Sequence, residues 1–208
     1  MGLISLLIFH VKEAAAEPTA FLLSKHLDLS QFNFFMRSTI AEHVVFHSRL
    51  IAARTPVGQR QSIKFDQDIG MCHSYVHQCG LGGTVISDCE YPPRVAFVLL
   101  NRALSAFVTK YPPEQWERLE SDPPASQFAY PEGSELLANF QDPKKADDLS
   151  RIQEDLKEVH NVMVVTMEKL LQRGENLDIL MTRTTDLSAA SEKFYRQAKA
   201  QNQCCKWY

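Results

Sequence analysis

An α+β head with a five-stranded antiparallel sheet, followed by a long coiled-coil helix, is the fold class this sequence predicts. Three observations carry it. Short β-type runs bounded by turn residues alternate with two amphipathic helical runs before residue 141. A stretch with a proline and the charges Lys144, Lys145, Asp147 and Asp148 follows, and after it sixteen positions recur at spacings of three and four.

Taken in order, residues 3–11 (LISLLIFHV) and 19–24 (AFLLSK) read as two strands joined by a polar connection containing Pro18. Apolar residues Ile40, Val44 and Ile51 then recur at helical spacing from Arg37 to Arg54, and Pro56 with Gly58 ends that helix. Gln61–Gln67, Met71–Gln78 and Gly83–Cys89 are rich in β-formers and read as a meander. Pro92 and Pro93 suit a first helical turn, and RVAFVLLNRALSAFVTKY continues as a second helix until Pro112. Between Pro112 and Pro131 the chain reads as irregular, with a short helix near Trp116, and residues 132–141 read as helical. The resulting order packs helices against an antiparallel sheet. The domain boundaries expected are a head over 1–140, a linker over 141–148, a coiled-coil segment over 149–201 and a tail over 202–208.

The repeating positions are Leu149, Ile152, Leu156, Val159, Met163, Thr166, Leu170, Arg173, Leu177, Leu180, Thr184, Leu187, Ser191, Phe194, Ala198 and Gln201. Eleven of the sixteen are apolar, which makes a seam of mean period 3.5 rather than the mixed face of a surface helix. As one helix it would extend about 80 Å, too far to bury its seam on its own head. Val162, Met167, Met181 and Tyr195 widen the stripe beyond a two-stranded zipper and call for a bundle. Arg173, the eighth layer, breaks the pattern at its centre. Either partner helices bring acceptors to that layer, fixing register and partner, or the guanidinium lies at the edge of a looser coil and snorkels to water.

Composition narrows the class. A formal net charge of -3 lacks the basic footprint a nucleic-acid binder needs. No apolar run reaches the roughly 18–20 residues of a spanning helix, and five cysteines at irregular spacing suggest a reducing compartment. Cys72, His73, His77 and Cys79 suggest a metal site until placed on a strand. There His73 and His77 lie about 13 Å apart and Cys72 faces the other way, so a half-exposed strand is the better reading. His43 and His47 lack the glutamate of HExxH and read as a solvated helix face, and the glycines of GLGGT read as a tight hairpin turn. With no nucleophile elbow or paired-carboxylate motif, the chain reads as no enzyme, with no metal and no cofactor.

The chain ends CCKWY, placing Cys205 four from the end with Cys204 beside it. That is the spacing of a prenylated cysteine with a neighbour for a palmitoyl or other second lipid, and two lipids anchor stably where one does not. Lys206, Trp207 and Tyr208 depart from the usual aliphatic ending, and two exposed thiols on a frayed helix remain the alternative.

The phrase TMEKLLQRGENLDILM resembles the arginine-class SNARE motif of the synaptobrevin family over about Leu149 to Gln201. The phrases DLSQFNFFMRS, RTPVGQRQSI and SDCEYPPRVAFVLLN resemble a longin, or profilin-like, domain. Together with the terminal cysteines they resemble the lipid-anchored longin R-SNAREs, synaptobrevin homologues without a transmembrane segment. The resemblance implies vesicle docking and membrane fusion through a four-helix bundle with syntaxin-like and related Q-SNAREs, with Arg173 as zero layer and zippering running toward the anchor. It implies a longin head that folds back on the SNARE segment, and traffic among ER, Golgi, endosome, vacuole and autophagosome from the cytosol and the cytosolic faces of those membranes. His43 stands where the family commonly has an aromatic residue, a departure that bears on how tightly that closed form holds. The alternative from another class is a longin-type adaptor or tethering subunit that binds coiled-coil partners without driving fusion.

Overall fold

The computed structural model describes residues 2–13, 18–65, 70–150, 162–171 and 174–204. The chain divides into two compact units, Met1–Asp28 with Ser48–Leu170, and Leu29–His47 with Leu171–Tyr208.

The first unit is built on one sheet. Its strands are β1 (Leu3–Lys12), β2 (Thr19–Leu27), β3 (Arg60–Lys64), β4 (Met71–Val76), β5 (Leu81–Ser87) and β6 (Met163–Thr166). They lie in the order β2-β1-β5-β4-β3-β6, antiparallel except for β6, which pairs parallel to β3. The sheet thus has six strands where the head alone supplies the five expected. The sixth comes from the coiled-coil segment.

Helices α2 (Pro93–Lys110), α3 (Glu132–Asn139) and α4 (Pro143–Ser150) belong to this unit, and α1 (Arg37–Ala53) gives it its last turns. Leu3, Leu6 and Val85 of the sheet form one buried cluster with Val95, Phe97, Leu99 and Leu100 of α2, Leu137, Phe140 and Ala146. A second joins Ile8, Leu23 and Leu81 to Leu104, Phe107, Trp116, Phe128 and Tyr130. The stretch between Pro112 and Pro131 is therefore irregular in backbone but core in function, because its aromatic side chains close the α2 side of the sheet. A fully buried Phe or Trp contributes on the order of 2–3 kcal/mol of transfer free energy, enough to order a loop without regular hydrogen bonding.

Across the sheet, the Thr55 hydroxyl after α1 meets the Ser74 hydroxyl at 2.8 Å and accepts from Gln61 Nε2 at 2.7 Å. Strand β4 is consequently covered on both faces, and Cys72, His73 and Ser74 are all fully buried. This corrects the half-exposed reading. The turn between β4 and β5 needs Gly80, whose φ is +82°. Gly82 and Gly83 lie instead within β5, where an added Cβ on Gly83 would meet Leu100 Cδ2 at 2.9 Å. Close approach of α2 explains Gly83, and the Val11 and Val76 side chains of the neighbouring strands, at 2.8 and 3.3 Å from an added Cβ, explain Gly82.

Residues 141–148, expected as a connector, carry most of α4. Pro143 follows Asp142, whose carboxylate accepts from Lys144 N at 3.0 Å, a helix start of the Asp-Pro type. Ala146 is buried in the first cluster, and Gln141 clasps β1 by accepting from Leu3 N at 3.0 Å and donating to Leu3 O at 2.8 Å.

In the second unit, α6 (Leu177–Arg183) and α7 (Ala189–Cys204) join the first part of α1. Asn176 caps α6 by accepting from Asp178 N at 2.8 Å, and Gly174, at φ +90°, marks the turn before it.

Candidate functional site

The sixteen-position segment is the candidate site. In the single chain its described residues form β6, α5 (Met167–Leu170), α6 and α7 rather than one long helix. The physical reason lies in the seam itself: eleven apolar layers have no partner helices to bury them, so the segment takes other partners within its own chain.

On the first unit, Gln61, Ser62, Ile63 and Lys64 of β3 face Met163, Val164, Val165 and Thr166 of β6. Three consecutive β-branched residues, Val164 to Thr166, suit this extended form better than a helix. Val162 packs on the first core cluster, and Met167, at 4% exposure, closes the end of the strand in α5. The layer residue Met163, by contrast, is 53% exposed.

The second unit repeats that pattern. Met181, which flanks the seam, is 2% exposed, whereas the layer residue Phe194 is 38% exposed. Leu177, Leu180, Thr184, Leu187 and Ala198 are half-buried, and Ser191 is the one described layer that is fully buried. Thus the flanking positions, more than the layers, seat the segment.

Polar contacts fix the start of α7. Ser188 N donates to Glu42 Oε2 at 2.7 Å, which holds the Glu42 carboxyl below its ordinary range. A carboxylate at a helix N-terminus also meets the positive end of the helix dipole. His43 Nε2 donates to Ser191 O at 3.2 Å, and its ring lies 6.1 Å from that of Tyr195. Burial lowers the His43 pKa, opposed by the Ser191 carbonyl, and burial pushes His47 down to about 4. Both imidazoles are therefore half-buried and tied into this unit, which corrects the solvated-face reading. His43, standing in an aromatic position, still makes a ring contact and adds a hydrogen bond. Lys199 Nζ joins Asp178 Oδ2 at 2.7 Å, linking α7 to α6 beside a small cleft lined by Met181 and Tyr195.

Arg173 lies outside the described residues, as do Ile152, Leu156, Val159 and Cys205. Leu149 falls within α4, while Gln201 and Cys204 fall within the last turn of α7. Among the described residues no His, Cys, Asp and Glu group gathers as for a metal ion. His73 instead lies between the Ser62 hydroxyl at 2.8 Å and the Ser87 hydroxyl at 3.3 Å, and His77 contacts Cys79. The contact residues Glu42 and Ser188 escaped the sequence reading, although the spacing of Ser188 and Ser191 at the start of α7 is a helix-cap pattern.

The mixed sheet-and-helix head thus receives a strand from the heptad-bearing tail. Residues 29–130 match the family model described as a regulated-SNARE-like domain (longin), and residues 148–208 match that of synaptobrevin. The chain is 40% identical over 189 residues to the synaptobrevin homolog YKT6 of Yarrowia lipolytica, covering 91% of this chain and 92% of that one. It is 44% identical over 184 residues to ykt6 of Schizosaccharomyces pombe, with 88% and 90% covered. Against YKT6 of Saccharomyces cerevisiae the identity is 39% over 183 residues, with 88% and 90% covered.

The chain belongs to this family of longin-headed synaptobrevin homologues, R-SNAREs of vesicle traffic and not enzymes. Among its described residues no helix is long and apolar enough to cross a membrane.

Proposed function

We propose that this R-SNARE cycles between a closed form, with its SNARE segment seated on its own chain, and an open form that joins three Q-SNARE helices in a four-helix bundle. Arg173 forms the zero layer of that bundle and takes glutamine acceptors from all three partners. The observation that carries the reading is the parallel seating of Met163–Thr166 on β3. Two layers of the seam are held there in extended form, and no bundle can include them until the strand lifts off.

Cys205 carries a prenyl group and Cys204 a palmitoyl or other second lipid in the open form. One lipid gives reversible membrane binding and two give a stable anchor, so the second lipid sets the residence of the open form. The working membranes are the cytosolic faces of Golgi, vesicle, endosome and vacuole, in ER-Golgi, endosomal and autophagosomal traffic.

The test is to mix the purified full chain with the soluble helices of syntaxin-like and related Q-SNAREs. A denaturant-resistant four-helix complex is expected, and its absence with every Q-SNARE set tried would overturn the reading. Intact mass of the protein isolated from its own cells checks the lipids, with two free thiols excluding the anchor.

A further inference from the structure

The second unit exposes two aromatic rings that neither the seam nor its seat uses. Phe34 is 74% exposed and Phe35 is 87% exposed, with Met36 beside them. They form a short 3₁₀ turn, Phe34–Met36, immediately before α1. Large apolar side chains this bare are uncommon singly and informative when adjacent.

The turn is held rather than loose. Asn33 Oδ1 accepts from Phe35 N at 3.0 Å, capping it. Arg37 clamps the preceding loop, with Nε donating to Phe32 O and Nη2 to Ser30 O, both at 3.1 Å. The guanidinium lies 6.0 Å from the Phe34 ring centre, and the two phenyl rings meet edge to face at 5.7 Å. From Leu29 to Ala41 the chain carries one cation, Arg37, and no acidic residue, although the whole protein is net negative.

We infer that Phe34, Phe35 and Met36, with Arg37 behind them, form a membrane-contacting tip that inserts shallowly into the surface of an anionic bilayer. Exposed aromatic rings backed by a cation are the chemistry that seats a protein at the headgroup and acyl boundary. The absence of an acidic residue between Asp28 and Glu42 limits repulsion from anionic lipid. The inference rests on the R-SNARE reading only in that it places the chain at membranes. A head contact of this kind supplies a second attachment beside a single lipid, which alone binds marginally.

The experiment uses the full chain carrying C204S/C205S, so that no covalent lipid contributes, and measures co-sedimentation with vesicles of phosphatidylcholine with and without phosphatidylserine. Binding is expected to the phosphatidylserine vesicles, weakened by salt, and lowered at least about tenfold in F34S/F35S. The exposed rings make that variant compatible with folding, and its far-UV circular dichroism checks this. A second measurement, the emission of F35W, is expected to shift to the blue on adding the same vesicles. Equal binding by F34S/F35S, or no binding and no emission shift, overturns the inference. Self-association that F34S/F35S abolishes, without vesicle binding, also overturns it by assigning the tip to a second copy. Q-SNARE assembly is measured on the same samples and stays at the wild-type level in F34S/F35S, so a failed tip and a failed SNARE reading give different results.

Discussion

Truncating Met181 tests how the second unit holds its segment. The side chain is 2% exposed and lines the cleft with Tyr195 and the Asp178–Lys199 pair. Met to Ala at a buried site costs about 2–5 kcal/mol, and the flexibility of methionine surroundings favours the lower part, about 2–3 kcal/mol. A unit this small keeps only a few kcal/mol against opening, at roughly 0.05–0.15 kcal/mol per residue. At about 1.4 kcal/mol per factor of ten, Met181→Ala raises the open population of this unit about thirty-fold or more. Met181 flanks the seam and is not a layer, so the bundle loses less than the closed form does. Amide exchange of α6 and α7 is expected to accelerate by that factor while α2 amides stay protected, and Q-SNARE assembly is expected to quicken. Unchanged protection in α7, or equal loss in α2, would refute the reasoning, because either shows that Met181 does not hold a separate unit.

Three further predictions concern the first unit and the central layer. Burial lowers His73 from 6.5 to about 4, so the folded chain keeps it neutral while the unfolded chain takes up a proton first as pH falls. Its contribution is intact above pH 6.5 and is lost between pH 6.5 and about 4, by at most about 1.4 kcal/mol per pH unit. Urea midpoints at pH 7.5 and 5 should differ more for wild type than for His73→Gln, and equal slopes would remove His73 as the source. Gly83→Val drives a branched side chain into Leu100 and Leu104 and is expected to cost about 1–3 kcal/mol in urea denaturation, whereas no loss would show that α2 yields easily. Arg173→Gln is expected to lower the melting temperature of the assembled four-helix complex and loosen its register, while an adaptor's binding would hardly change.

Most of the head was legible because its elements obey local rules. The Pro92–Pro93 start and Pro112 stop framed α2 at Pro93–Lys110, and the apolar run LISLLIFHV placed β1 at Leu3–Lys12. The sixth strand was not legible, because Met163 and Thr166 satisfy a three-residue helical spacing and a strand alike. Only the run of β-branched side chains between them hinted at the second option, and pairing with β3 decided it. His43 was misread because its partners Ser191 and Tyr195 lie on α7, more than a hundred residues away. Its local sequence carries no trace of them. Gly82 and Gly83 were assigned to a turn because turn glycines and close-packing glycines look identical until the side chains that crowd them, Val11 and Val76 for one and Leu100 and Leu104 for the other, are in place.

Under the proposed cycle, the lone parallel strand β6 covers one sheet margin for only part of the chain's working life. When β6 departs for a bundle, β3 becomes the terminal strand, with its backbone amides and carbonyls open to any extended peptide. Uncovered margins of this sort seed aggregation unless they are short and charged. β3 is five residues long, with Arg60 at one end and Lys64 at the other. In the proposed cycle, a sheet that sheds its outermost strand is thus finished with two cations that discourage the wrong chain from taking the vacated place.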